Sequence, residues 1–153
     1  MPGVRSPLPA VMVALAGLLL AGCVVPAPSD STYADKAQRS LQAAAGQTAT
    51  VELVISQVLS SRAFQAFADQ TVSETEDSLS SVSDQFASTQ PPPSAGADAV
   101  RDRTTTLLSQ ASDAVATARI ALRRKDRPQM AASEKQLAAV TDKLTDAQGK
   151  VDS

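Results

Sequence analysis

From residue 31 onward, apolar and small residues recur at alternating steps of four and three: Ala37, Leu41, Ala44, Thr48, Val51, Ile55 and Val58. One face of a helix returns at that interval, so the spacing predicts a first helix from Ser31 to Ser60. Ser29, Asp30 and Ser31 are its candidate N-caps, since their side-chain oxygens can accept from the open amides of a first turn. Continuing the stripe would turn Arg62, Asp69, Glu76 and Ser83 inward, so its phase is lost near residues 60–63. A new stripe, Val72, Thr75, Leu79, Val82 and Phe86, predicts a second helix from Phe64 to Ser88. Neither Gly nor Pro marks the turn. The alternative is one helix of about 58 residues, which alone could not bury its own stripe.

Gln90 to Gly96, with Pro91-Pro92-Pro93, breaks the pattern. A third helix is predicted from Ala97 to Lys125, with Val100, Thr104, Leu107, Ala111, Ala114, Ala118 and Ala121 along its seam and Leu108, Val115 and Leu122 beside it. Asp126 can cap a fourth, with Pro128 in the first turn, where a missing N–H costs nothing. There Met130, Leu137, Leu144 and Val151 fall seven apart, and Ser133, Val140 and Ala147 fill the alternate seam. Four amphipathic segments on short connections predict an all-α, antiparallel, up-down-up-down four-helix bundle over residues 31–153. Tyr33, Phe64 and Phe67 are expected to pack in the core or against turns.

Ahead of this body the pattern is different. Met1 to Pro9 carry one base, Arg5, and no acid; Ala10 to Leu20 are uncharged; small residues then lead to Cys23, the only cysteine. That is the layout of a secretory signal, and the run is shorter than the roughly 20 apolar residues of a transmembrane helix. Leu20-Ala21-Gly22-Cys23 resembles the lipobox of bacterial lipoproteins. The resemblance covers only about the first 23 residues. It implies cleavage between Gly22 and Cys23, a diacylglyceryl group on the Cys23 thiol, and anchoring to membrane lipid at the extracytoplasmic face. Residues 1–22 are then a signal peptide and residues 23–30 a lipidated tether. Pro26 and Pro28 favour extended backbone in that tether, about 3.1 Å per residue, a reach of some 15–20 Å.

Composition narrows the chemistry. The chain has 14 bases and 16 acids, a net charge of −2, no histidine and no tryptophan. Nothing global points to nucleic acid. Without histidine there is neither the usual general base nor the Glu-x-x-His pairs of di-iron bundles, and no phosphate-cradling glycine loop or nucleophile elbow is present. Glu74, Glu76 and Asp77 do not share one helix face. The expectation is therefore a non-enzyme with no catalytic residue, no metal site and no cofactor apart from the covalent lipid on Cys23.

Charge is unevenly placed. From Ala63 to Val100 there is no base, only Asp69, Glu74, Glu76, Asp77, Asp84 and Asp98, whereas Arg123, Arg124, Lys125 and Arg127 crowd one turn. One reading is an acidic helix beside a basic one, with bases complementing a helix C-terminus. The other makes Arg123, Arg124, Lys125 and Arg127 a contact for an anionic ligand. Up-down order puts this turn at the end away from the anchor and the triple-proline loop at the anchored end. The functional expectation is a tethered, non-catalytic helical adaptor for an envelope protein partner. The alternative is a binding module for anionic envelope polymers through residues 123–127.

Overall fold

The structure, a computed structural model, describes residues 29–151. The signal segment 1–22, the Gly22–Cys23 cleavage position, the Cys23 lipid site, tether residues 23–28 and the last two residues lie outside the described residues. Four helices follow in order: α1 (Asp30–Leu59), α2 (Gln65–Ala87), α3 (Ala95–Arg124) and α4 (Arg127–Val151). They pack as an all-α four-helix bundle.

Each start has a local cause. Ser29 caps α1, its Oγ accepting from Thr32 N at 3.2 Å, so the helix begins at Asp30, one residue ahead of the predicted Ser31. Ser94 caps α3 by accepting from Ala97 N at 3.1 Å, so Ala95 and Gly96 belong to the helix and not to the proline loop. Asp126 caps α4, Oδ1 accepting from Gln129 N at 3.0 Å. Only α2 lacks such a cap, since Phe64 has no oxygen to offer.

The turn between α1 and α2 is real, and one continuous helix is excluded. Ser61 takes the left-handed conformation (φ 58°). Ser61 N donates to Val58 O at 3.0 Å and Arg62 N to Gln57 O at 2.8 Å. This nested pair is the Schellman ending of a helix. The α3–α4 turn repeats it: Lys125 is left-handed (φ 54°), with Lys125 N donating to Leu122 O at 3.0 Å and Asp126 N to Ala121 O at 3.1 Å.

The stripes meet in one interior. Helix α1 touches the other three, whereas α2 and α4 lie on opposite sides of it and do not meet. The α1–α3 diagonal is short because the residues along it are small: 10 of the 25 buried apolar residues are alanine, Ala44, Ala111, Ala114 and Ala118 among them. Leucine and valine fill the remaining layers, and the Tyr33 and Phe86 rings meet at 5.5 Å at one end. The α3 seam is rotated slightly from the expected one: Leu108 is buried, and Val100 and Leu107 sit on its flank.

Tyr33 is a core residue, as expected from the sequence. Phe64 and Phe67 are not: they are 87% and 61% exposed. The reason is positional. The inward face of α2 is set by Ala68, Val72, Thr75 and Leu79; Phe64 precedes the helix and Phe67 lies off that face.

Antiparallel packing gives the bundle two unlike ends. At one, Ser94 Oγ donates to Asp30 Oδ2 at 2.9 Å, so the proline loop adjoins the start of α1, where the chain arrives from Cys23. At the other lie the turns α1–α2 and α3–α4. A helix of 30 residues separates the ends by about 45 Å at 1.5 Å per residue.

Candidate functional site: the distal tip

The two distal turns are built into one surface. Gln65, the first residue of α2, donates from Nε2 to Leu122 O in the last turn of α3 at 2.7 Å. Arg127, the first residue of α4, donates from a guanidinium nitrogen to Leu59 O, the last carbonyl of α1. Four C-terminal carbonyls of any helix lack an intrahelical donor. Here a side chain from the opposite hairpin serves one of them at each helix end, and the turns are held edge to edge.

All four residues of the expected anionic contact lie on this tip and are exposed. Arg123 and Arg124 occupy the last turn of α3, where a cation is also favoured by the helix dipole. Lys125 stands at the left-handed position. Arg127 is partly engaged, because its contact with Leu59 O is structural.

The tip holds more than the sequence indicated. Exposed Arg62 reaches it from the other turn, beside Phe64 and Phe67. Residues 60–70 and 119–130 together carry six bases (Arg62, Arg119, Arg123, Arg124, Lys125, Arg127) against two acids, Asp69 and Asp126, in a chain of net charge −2. Asp126 is committed to capping α4. Arg119 faces α2: its Nε lies 3.1 Å from Glu76 Oε2, off the line of a hydrogen bond, so the attraction is mainly coulombic. Among the described residues the exposed large apolar side chains are Leu53, Phe64, Phe67 and Ile120, and every one belongs to the half of the bundle nearest this tip. The available sequence signal was the phase break itself: two phenylalanines fall at a turn outside any stripe.

The acidic group on α2 disperses. Glu76 turns to Arg119, while Glu74 is exposed and accepts from Gln70 Nε2 at 2.6 Å. Asp77 is exposed as well. Among the described residues no three His, Cys, Asp or Glu side chains gather as metal ligands. The serine-rich part of α2 turns its hydroxyls onto its own backbone, Ser78 donating to Glu74 O, Ser81 to Asp77 O and Ser83 to Leu79 O. Toward the opposite end, a shallow groove of about 590 Å³ between α3 and α4 has a short apolar floor, Leu107 and Ala147, within a rim of mixed charge.

No helix among the described residues is long and apolar enough to cross a membrane. Comparison with protein-family models, curated proteins and solved structures finds no match to this chain. Its fold and tip are those of an antiparallel helical bundle with one basic, aromatic-bearing end.

Proposed function

We propose that this chain is a lipid-anchored, extracytoplasmic protein that works without catalysis, as a helical adaptor holding its distal tip against another component of the cell envelope. One observation carries the reading. The chain enters the bundle from the Cys23 side at one end, and the exposed rings and unshared cations gather at the other, about 45 Å away. An anchor and a contact surface so divided suit a spacer or adaptor. The lipobox resemblance supports the anchor: a thioether-linked diacylglyceryl group supplies two acyl chains, and two chains hold stably where one binds marginally.

The test is photo-crosslinking in cells from a probe at Arg124, with a probe at buried Leu79 as the in-core control. Palmitate labelling of the native chain and of Cys23→Ala runs alongside. The expected result is label lost in Cys23→Ala and a discrete adduct from Arg124 alone. Label that persists without the thiol overturns the anchor, and equal adducts from both positions overturn the tip.

A second reading is favoured by the exposure of Arg123, Arg124 and Lys125 together: retention of an anionic envelope polymer by charge. Such retention weakens steeply with salt, because exposed charges are screened within about 8 Å at physiological ionic strength. It is lost in Arg123→Ser/Arg124→Ser/Arg127→Ser. Retention unchanged by salt or by those substitutions counts against it.

A further inference from the structure

We propose that the distal tip is a membrane-contact site in its own right, with Phe64 and Phe67 entering the headgroup–acyl boundary of an anionic bilayer while Arg62, Arg123, Arg124 and Lys125 hold lipid phosphates. The inference rests on the reading of the tip as the contact end, and it specifies what the tip touches. Three observations carry it.

The first is the placement of the rings. At 87% exposure Phe64 stands almost clear of its own chain, and Phe67 at 61% follows one turn later. A protein partner would have to supply the whole pocket for Phe64. A headgroup layer needs no preformed wall, and apolar side chains beside bases are the usual make-up of an interfacial surface.

The second is charge complementarity and its direction. The tip has a local excess of bases, while no base occurs from Ala63 to Val100 along the acidic flank of α2. Near an anionic surface the tip is drawn in and that flank is pushed away, so contact is confined to the tip. Two tips of this kind repel each other, which disfavours a second copy as the occupant.

The third is the backbone at Lys125. Its left-handed conformation is one that glycine adopts without steric cost, yet an exposed lysine occupies it and adds a cation to the turn that also carries Arg124 and Arg127. Helices of up to 30 residues carry the tip about 45 Å from the end where the chain enters.

The test uses the mature chain with Cys23→Ser, so that no acyl chain contributes. Vesicles of phosphatidylcholine alone are compared with vesicles also containing phosphatidylglycerol. Since the chain has no tryptophan, Phe64→Trp provides a single indole reporter at the exposed ring position. The expected result is salt-sensitive sedimentation with anionic vesicles only, with a blue shift of the indole emission and its quenching by lipids brominated on the acyl chains. Arg123→Ser/Arg124→Ser/Lys125→Ser lowers partitioning about a hundredfold, as each base near an anionic surface is worth about 1 kcal/mol. Phe64→Ser/Phe67→Ser lowers it at unchanged charge. Neither set touches the core, and circular dichroism with thermal melting checks that both variants keep the fold. Absence of vesicle binding, binding that survives both variants, or binding to an anionic polymer without the blue shift overturns the inference. A discrete protein adduct from Arg124 in cells, combined with no vesicle binding, leaves the tip as the contact end and makes its partner a protein.

Discussion

Gln65 and Arg127 hold equivalent places in the two hairpins, and each serves the other's hairpin: Gln65 donates to Leu122 O, and Arg127 to Leu59 O. Each is the first residue of its helix, and each reaches the carbonyl end of a helix to which its own turn is not attached. The tip is therefore one unit and not two independent turns. Removing either side chain costs about 1 kcal/mol of stability, the usual net worth of such a bond. Urea denaturation of Gln65→Ala and Arg127→Ala reads this directly. Arg127→Ala has a second signature: it loosens the α1–α2 turn, so amide exchange quickens at residues 60–63 as well as in its own helix. Exchange changed only within α4 would contradict the cross-hairpin link.

Lys125 sets stability against contact. Lys125→Gly relieves a left-handed backbone position and is expected to raise stability by about 0.5–1 kcal/mol. The same change removes one tip cation and lowers partitioning onto anionic vesicles about fivefold. A higher melting temperature together with weaker binding is the expected pair. Ser61→Gly relieves the other left-handed residue without removing a charge, so it should move only the melting temperature.

Tyr33 makes stability fall at high pH. Its hydroxyl is buried without a hydrogen-bond partner among the described residues. Burial raises its pKa above the ordinary 10.0; Arg101 pulls the other way, and Asp98 and Asp102 add to the rise. The unfolded chain thus releases this proton at a lower pH than the folded one, so the stability present below pH 10.0 is lost as pH climbs through the folded value. Tyr33→Phe removes that slope and, by deleting an unsatisfied buried oxygen, raises stability near neutral pH by about 1 kcal/mol. Denaturant melts of both proteins across the alkaline range test both parts.

Two buried threonines should respond oppositely to the same substitution. Thr104 Oγ1 has no hydrogen-bond partner among the described residues, so Thr104→Val is expected to gain about 1 kcal/mol. Thr48 Oγ1 lies 2.7 Å from Thr141 Oγ1 across the α1–α4 contact and 3.1 Å from Ala44 O. Thr48→Val strands Thr141 in a part-buried site and costs about 1 kcal/mol. Equal shifts for the two variants would show that methyl packing, and not hydroxyl satisfaction, governs both sites.

The bundle was legible because a helix stripe is a local property. Leu41, Val51, Ile55, Val72, Leu79, Leu137 and Leu144 repeat at helical intervals and are all buried. Ser29 and Asp126 show their capping chemistry in the sequence itself, whereas the Ser94 cap lies inside the stretch that reads as a proline-marked break. The α1–α2 turn was visible only as a loss of phase, because its left-handed position is filled by Ser61 and not by the glycine that usually marks it.

Sequence by itself determined that this chain is helical, where its four segments begin and end to within a few residues, and that bases crowd the turn at Arg123–Arg127. Those follow from periodicity, capping and composition, all set by near neighbours along the chain. Tertiary structure alone decided that α1 sits against all three partners, that Arg127 is tied to Leu59, and that Phe64 and Phe67 stand in solvent beside Arg62 and the basic turn. These are relations between residues far apart in the chain, such as the 57 positions between Gln65 and Leu122 or the 68 between Leu59 and Arg127, and no local pattern records them. Whether a phenylalanine is core or surface depends on which neighbour covers it, and at the tip of this bundle none does.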